Sequence, residues 1–248
     1  MNQSQGNRDE LCKLDWAGLG LAIATLLSLL ASGPGYRLGI WQFKTGISLV
    51  KAAGFISAAA MIVCLAGLAV WQAKLFPQGL TPAIVGLVIG AAVLGMTLRW
   101  KHNLDSVPYI HDITTDTENP PLFVAVLPLR ADADNSAEYG GPDLARQQKK
   151  GYPDLKPGFV SRPPVAAYGE ALQAAKDMGW TIVASEPNSL RIEATDTTPW
   201  FGFKDDVVVR LSPNQTGSRI DVRSVSRVGK SDVGTNARRI SAYLTRLK

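Results

Sequence analysis

Acidic and basic residues alternate late in the sequence, in a pattern that could support acid–base chemistry. The acids are Glu193, Asp205, Asp206 and Asp221, and the bases are Arg191, Arg210, Arg219 and Arg223. If these segments pair as strands, carboxylates and guanidinium groups share the polar face of a sheet, and cross-strand ion pairing is the simpler interpretation. The alternative is a polar groove in which Glu193, Asp205 and Asp206 exchange protons with a substrate.

A second group of residues could bind an anion at the start of a helix. Gly229, Lys230 and Ser231 precede a predicted helix, but the earlier glycine that a phosphate-binding P-loop needs is replaced by Ser224. We therefore favour a capped helix start, with Ser231 or Asp232 as the N-cap. The weaker hypothesis is that the first N–H groups of this helix bind an anion with nearby side chains. Its candidate ligands are Arg223, Arg227, Lys230 and Ser231.

Metal sites are only weakly indicated. His111 with Asp112 and Asp116 could bind a metal or supply a base, but no nucleophile stands at an informative spacing, so a solvated histidine is the simpler interpretation. The acidic residues of 132–143 are spaced nearly as in a calcium loop, yet Ala137 stands where that loop requires glycine. We therefore expect no metal and no cofactor.

The cysteines and the motif content exclude two further classes. Cys12 and Cys64 are the only cysteines, so the C-terminal part has no disulfide framework and no cysteine-based zinc site. The sequence has no recognised nucleic-acid-binding motif, so nucleic acid is not an expected partner.

Charge is distributed unevenly along the chain. Of 26 Lys and Arg and 21 Asp and Glu in 248 residues, only six basic and three acidic residues lie in 1–98. Residues 99–248 hold the other 20 Lys and Arg (26 − 6) and the other 18 Asp and Glu (21 − 3). A hydrophobic content of 46% excludes a disordered chain. The uneven charge indicates a membrane anchor, residues 1–101, joined to a soluble part.

Three apolar runs are candidates for transmembrane helices. They lie at about 16–31, 52–73 and 80–98, and the last two have 22 and 19 residues without a charge, close to the roughly 20 that a spanning helix needs. The first run could instead be a cleaved signal peptide. We favour a retained span because the residues before it carry a net charge of −1. The short link Lys74–Gly79 makes the last two spans an antiparallel hairpin.

Small residues recur at four-residue spacing in the second and third spans. The pairs are Gly54 with Ala58, Gly86 with Gly90, and Ala91 with Gly95. Such residues mark close approach of helix backbones, because lipid gives helices no hydrophobic drive to associate. Packing within the protein's own three helices is the simpler interpretation. The alternative is a face for another membrane protein, through Gly86, Gly90 and Gly95.

The start of the soluble part has little regular pattern. A polar linker is expected at 102–121, followed by the domain itself at 122–248. The domain opens with a strand-like apolar run, Leu122–Leu129, although Pro128 restricts it to an edge or an end. Residues 130–164 are rich in proline and glycine, and we expect a long ordered loop there.

The rest of the soluble part is predicted to be an α+β domain. An amphipathic helix over about 165–179 comes first, and a second helix begins near Val233. Four strand candidates lie between them, at Trp180–Ser185, Leu190–Thr195, Asp206–Leu211 and Arg219–Ser226. The short turns favour an antiparallel four-stranded meander flanked by two helices, which cover its apolar face.

Four segments resemble the domain-of-unknown-function 1499 family. They are HDITTDTENPP at 111–121, YPDLKP at 152–157, FKDDVVVRL at 203–211 and IDVRSVSRVGKSDVGTNARRI at 220–240. The resemblance covers residues 109–248. It implies a protein of bacteria or plastids with no established activity, so it transfers no functional residues. Some members resemble exported lipoproteins with paired cysteines near the domain start, whereas this sequence has a three-span anchor.

Two observations predict opposite sides of the membrane for the soluble domain. Five Lys or Arg lie on the side of the 32–51 loop and the soluble domain, and three lie on the other side. The positive-inside rule therefore favours a cytoplasmic domain by two charges. The resemblance to exported proteins favours the opposite side. We expect a multi-pass inner (plasma) membrane protein with a periplasmic soluble domain.

The sequence has no convincing catalytic constellation. The leading interpretation is a non-catalytic, membrane-tethered binding or assembly module of the cell envelope. Its expected partners are the lipid bilayer and another membrane protein. The alternative is a membrane-bound, hydrolase-like enzyme that uses the carboxylate-rich sheet face.

Overall fold

The computed structural model describes residues 3–72 and 80–247. The chain divides into two compact units. The first consists of Met1–His102 with Trp200–Gly202, and the second of Asn103–Pro199 with Phe203–Lys248. The long apolar helices belong to the first unit and the β-sheet belongs to the second.

Among the described residues, three long helices form the first unit. They are α1 (Gln3–Arg37), α2 (Phe43–Gln72) and α3 (Leu80–Asp105). Each has a stretch long and apolar enough to cross a membrane, at Leu14–Arg37, Phe43–Val70 and Leu80–Asp105. Large apolar side chains such as Leu27, Phe55 and Ile62 are exposed on these helices. The prediction of three long apolar helices is confirmed.

The first two helices extend beyond the predicted spans. The predicted loop at 32–51 is reduced to 38–42, because α1 continues through Pro34 and α2 already begins at Phe43. A proline near a helix end removes one backbone hydrogen bond, whereas irregular backbone exposed to lipid leaves many groups unpaired. The predicted link Lys74–Gly79 lies outside the described residues.

Three of the small residues, Gly54, Gly86 and Gly90, lie at close contacts within the first unit, and a Cβ on Gly54 would lie 2.8 Å from Thr97 Oγ1. A Cβ on Gly86 would lie 2.6 Å from Cys64 Sγ, and a Cβ on Gly90 would lie 2.7 Å from Met61 Cγ. A Cβ on Gly95 would enter open space. Gly86 and Gly90 therefore permit packing among the protein's own helices, and contact of Gly95 with a partner helix stays a prediction.

In the part of the second unit that the structure describes, six strands form one antiparallel sheet. They are β1 (Asp112–Thr114), β2 (Gly158–Val160), β3 (Thr181–Glu186), β4 (Arg191–Thr197), β5 (Lys204–Asn214) and β6 (Gly217–Ser226). The order is β1-β6-β5-β4-β3, and β2 pairs with β6 beside β1. The predicted meander is confirmed as β3–β6. Two short strands, β1 and β2, extend it at the β6 edge.

Helices cover one face of this sheet. The second unit contains α4 (Gly141–Gly151), α5 (Pro164–Asp177) and α6 (Thr235–Thr245). Buried residues of α5 and α6 pack in one core with Val207 and Val222 of the sheet. Trp180 stacks on Tyr243 of α6 with 5.0 Å between the ring centroids. The two helices that the sequence predicts on the apolar face are therefore confirmed.

The last helix begins two residues later than predicted. The expected start was near Val233, but α6 begins at Thr235. Val233 and Gly234 have φ angles of 53° and 74°. These values belong to the left-handed region, which a right-handed helix cannot contain.

The segment between the anchor and α5 differs most from the prediction. Leu122–Leu129 is not a strand, because the N–H groups of Val124 and Val126 donate to the Glu193 side chain instead of a neighbouring strand. The expected loop at 130–164 contains α4 and β2, and the expected linker at 102–121 contains β1. The buried residues of α4 are Ala145 and Gln148. Two buried positions give no apolar period, so the sequence pattern did not predict this helix.

Candidate functional site

The sheet places the two neighbouring predicted acids on opposite faces. Asp205 of β5 lies on the face covered by α6, where it pairs with Arg239. Asp206 lies on the other face, where it accepts a hydrogen bond from Thr195 of β4. Consecutive strand residues alternate between faces, so the prediction that both acids share one polar face was wrong.

A cover segment, residues 115–139, closes the polar face of the sheet. Asp116, near its start, pairs with Arg210 and Arg219 at 3.1 and 2.8 Å. Further along, Phe123 and Val126 of the cover segment pack with Val208 and Val225 of the sheet in a small apolar cluster. The polar face is therefore an interior layer between the sheet and the cover segment.

Glu193 joins the cover segment to the centre of the sheet. Its side chain is 0% exposed and lies 2.9 Å from Arg191 Nε. One carboxylate oxygen accepts the N–H groups of both Val124 and Val126 at 3.0 Å. The carboxylate thus replaces a neighbouring strand as the acceptor for this stretch of backbone, because buried N–H groups need a partner.

Asp206 is the acceptor for two arginines and one hydroxyl group. Arg227 donates to both carboxylate oxygens at 2.9 and 2.8 Å, and Arg130 of the cover segment donates at 2.6 Å. Thr195 Oγ1 adds a hydrogen bond of 2.7 Å. Burial alone would raise the pKa of Asp206, but these hydrogen bonds outweigh it and hold the pKa below its ordinary value of 3.8.

Arg223 is buried beside two aromatic rings, and its guanidinium group is hydrogen-bonded along its edge. It donates to both oxygens of Asp112, at 2.9 and 2.8 Å, in a bidentate ion pair. The guanidinium carbon lies 5.1 Å from the ring centroid of Phe123 and 5.4 Å from that of Tyr139. The carbonyl of Ala137 accepts a further hydrogen bond at 2.8 Å. Arg223 therefore fastens β1 and the cover segment, at Phe123 and at Ala137, to β6.

A second buried network lies on the helix side of the sheet. Arg239 of α6 pairs with Asp205 and Asp196, each at 2.6 Å. It also donates to Ser224 Oγ at 3.1 Å and to Asn236 Oδ1. These contacts fix the α6 N-terminal turn over the ends of β4, β5 and β6.

Sequence reasoning missed Arg130, Arg239 and Asn236 as members of these networks. The helical pattern gives no signal for Arg239, because it stands between Ala237 and Ile240 and not on the apolar period of α6. Arg130 also has no signal in the sequence, because its partners Asp206 and Asn135 are reached through an irregular segment.

The structure does not gather the four predicted anion ligands around one position. Arg223 pairs with Asp112 and Arg227 with Asp206, while Lys230 is exposed. Ser231 Oγ accepts the N–H of Val233 at 3.2 Å.

The N–H groups at the start of α6 already have an anionic acceptor. Asp232 accepts from the N–H groups of Gly234 and Asn236, each at 2.8 Å. Burial raises the pKa of Asp232, and these hydrogen bonds oppose that shift. A carboxylate of the chain thus lies where an external anion was expected.

The weak metal candidates also have other roles. Asp112 pairs with Arg223, and Asp116 with Arg210 and Arg219. His111 Nδ1 lies 3.4 Å from the Lys230 carbonyl oxygen. Within the described residues, no group of three or more His, Cys, Asp or Glu is placed to hold a metal ion.

An open depression lies beside the YPDL turn. It has a volume of about 250 Å³ and is lined by residues 151–155 with Ala237 and Ser241 of α6. Within the described residues, the buried hydroxyl group of Tyr152 has no hydrogen-bonding partner. Burial and the nearby Asp232 carboxylate raise the pKa of Tyr152 to about 12. Ligand pockets usually occupy about 300–1,000 Å³, so the depression is small for a whole substrate.

The lowered pKa of Asp206 predicts acid sensitivity. A carboxylate whose folded pKa lies below its unfolded pKa stabilises the fold above the unfolded value and stops doing so as pH falls through the folded value. We expect stability to fall below about pH 4, and Asp206→Asn to weaken this dependence. Urea unfolding midpoints of the full-length protein in detergent at several pH values measure it. Equal pH slopes for the two proteins would contradict the assignment.

Comparison with known proteins identifies the family. Residues 112–247 match the family described as "Protein of unknown function (DUF1499)". The match extends from β1 to the end of α6 and includes both buried arginine networks. No curated protein matches the chain. With more than half of its length matched, the chain belongs to the DUF1499 family.

Proposed function

We propose that this protein is a non-catalytic, membrane-tethered binding or assembly module of the cell envelope. One observation carries the proposal: the sheet face with the candidate carboxylates is an interior layer, closed by the cover segment. Glu193 there accepts backbone N–H groups, and Asp206 accepts two guanidinium groups. Asp205, on the other face, is buried against Arg239.

These environments suit structural carboxylates better than acid–base catalysts. A general acid or base has to reach its substrate, and its pKa works best near the operating pH. Glu193 and Asp206 have fully buried side chains, and the pKa of Asp206 is shifted away from neutrality. The open depression is smaller than an ordinary substrate pocket. Binding through exposed surfaces is the function that these features support.

For location, we propose an inner membrane protein whose soluble unit faces the periplasm. The support is the three apolar helices and the resemblance of some members of the family to exported lipoproteins. Topology reporters fused to the C-terminus test this side. A reporter active only in the cytoplasm would refute it.

Co-purification from mild detergent tests the binding role, with two glycine variants as a matched pair. We expect a partner to co-purify with the wild type and to be lost from Gly95→Leu, because Gly95 faces open space. Gly86→Leu should instead destabilise the protein itself, because its Cβ would meet Cys64. A lone monomer under several mild conditions would count against the proposal.

Conservative carboxylate variants separate binding from catalysis. Glu193→Gln and Asp206→Asn remove charge and keep shape. If these residues are structural, both variants lower the free energy of unfolding, and cellular function falls only as far as the amount of folded protein falls. Lost function with unchanged unfolding would favour the hydrolase-like alternative.

A further inference from the structure

The cover segment exposes an apolar strip, defined here as Leu122, Val124, Leu127 and Leu129. Their exposed fractions are 72%, 51%, 46% and 52%. The residues between them, Phe123 and Val126, are buried against the sheet. Four aliphatic side chains within eight residues thus point away from the domain's own core. Apolar patches of this kind on soluble surfaces commonly mark interaction sites.

The strip is held in this outward position. Glu193 fixes the N–H groups of Val124 and Val126, and Arg227 donates to the Leu129 carbonyl at 2.7 Å. Leu127–Arg130 is a 3-10 helix whose last residue is buried. Because the backbone is hydrogen-bonded on both sides, the four side chains cannot turn inward without breaking these hydrogen bonds.

The chemistry of the strip fits lipid better than a protein surface. Protein-binding hot spots are rich in Trp, Tyr and Arg, whereas the strip is wholly aliphatic. Asp132 and Asp134 follow closely, so aliphatic contact has to supply most of the attraction.

The link between the third apolar helix and the second unit is short. The third apolar helix ends at Asp105 and β1 begins at Asp112. The six residues between them span at most about 20 Å when fully extended. Such a short link raises the effective concentration of the domain at the membrane, so even a weak surface contact is populated.

We propose that the apolar strip inserts into the interfacial region of the bilayer that holds the three apolar helices. The strip then lies roughly 5–10 Å deep, at the boundary of headgroups and acyl chains. The soluble unit is thereby oriented at the membrane by a second contact besides its tether. This inference does not depend on the proposed binding role.

Spin labels on the full-length protein test the insertion. In a Cys12→Ser, Cys64→Ala background, single cysteines replace Leu122, Leu127 or Val165 and carry a nitroxide. Val165 is the matched control, because it is an apolar residue of α5 that is 81% exposed. The proteins are reconstituted in phosphatidylethanolamine–phosphatidylglycerol vesicles at high lipid excess. The readout is the accessibility of each label to oxygen relative to a water-soluble nickel chelate.

We expect an oxygen-to-nickel ratio several-fold higher at Leu122 and Leu127 than at Val165. Adding Leu129→Asp should lower the ratio at Leu127 and leave the control unchanged, since Leu129 is exposed and its loss spares the core. Ratios equal to the control would overturn the proposal. So would a high ratio that disappears when labelled protein is diluted with unlabelled protein, because a second copy would then cover the strip. Protection seen only in native membranes would indicate a protein partner and would also refute lipid insertion.

Discussion

Replacing Arg223 by methionine should lower the free energy of unfolding of the second unit by about 3–5 kcal/mol. The variant leaves the Asp112 carboxylate buried without its bidentate partner. It also removes the cation that contacts the rings of Phe123 and Tyr139. The measurement is a urea titration of the full-length protein in detergent, with pulse proteolysis to detect the unfolded second unit.

Two further variants show whether the loss comes from an unpaired buried charge. Adding Asp112→Leu to Arg223→Met should restore much of the stability, because a well-packed apolar pair can replace a buried ion pair. Arg219→Met is the matched control on the same strand. Arg219 is about one-third exposed, so its loss should cost about 1 kcal/mol or less. Equal effects of Arg219→Met and Arg223→Met would contradict this account.

Replacing Arg239 by leucine should destabilise the second unit to a similar extent, again by about 3–5 kcal/mol. Asp205 would lose its buried partner, and Ser224 and Asn236 would lose a donor. Since Arg239 joins α6 to β5, we expect amide hydrogen exchange in α6 to increase. Hydrogen–deuterium exchange with mass spectrometry on the full-length protein measures this directly.

The neighbouring arginine provides the control for this prediction. Arg238 is exposed and donates to the Val233 carbonyl and to Thr235 Oγ1 within its own turn. Arg238→Leu should therefore change stability by about 0.5 kcal/mol at most. If Arg238→Leu and Arg239→Leu lowered stability equally, the loss would come from removing a positive charge from α6 and not from breaking the buried Arg239–Asp205 ion pair.

Much of the fold is predictable because its signals are local. An apolar run of bilayer length and an alternation of polar and apolar residues can each be read from neighbouring positions. The three apolar helices, the β3–β6 meander and the two helices on its apolar face follow from such patterns. The predicted start of the last helix at Val233 was wrong. The left-handed backbone of Val233 and Gly234, and not the first residue of the apolar period, decides where this helix begins.

The candidate site was much less predictable. The sequence identified Glu193, Asp205 and Asp206 as carboxylates that either form ion pairs or take part in acid–base catalysis, and ion pairing was the simpler interpretation. Their partners include Val124, Arg130 and Arg239, which are distant in sequence. Such contacts have no spacing rule, because the intervening chain can be of any length.

The sequence by itself determined where charge could lie: an apolar anchor, then a domain whose alternating strands carry carboxylates and arginines. Only the tertiary structure decided that the carboxylates and Arg223 are buried, whereas Arg219 stays about one-third exposed. The cover segment has no regular alternation of polar and apolar residues, because it is not a strand. Side chains such as Glu193 accept its N–H groups in place of a neighbouring strand. With the cover segment bonded over the sheet in this way, the polar sheet face becomes an interior layer and the apolar strip stays exposed. Both outcomes follow from one physical requirement, that buried polar groups find partners.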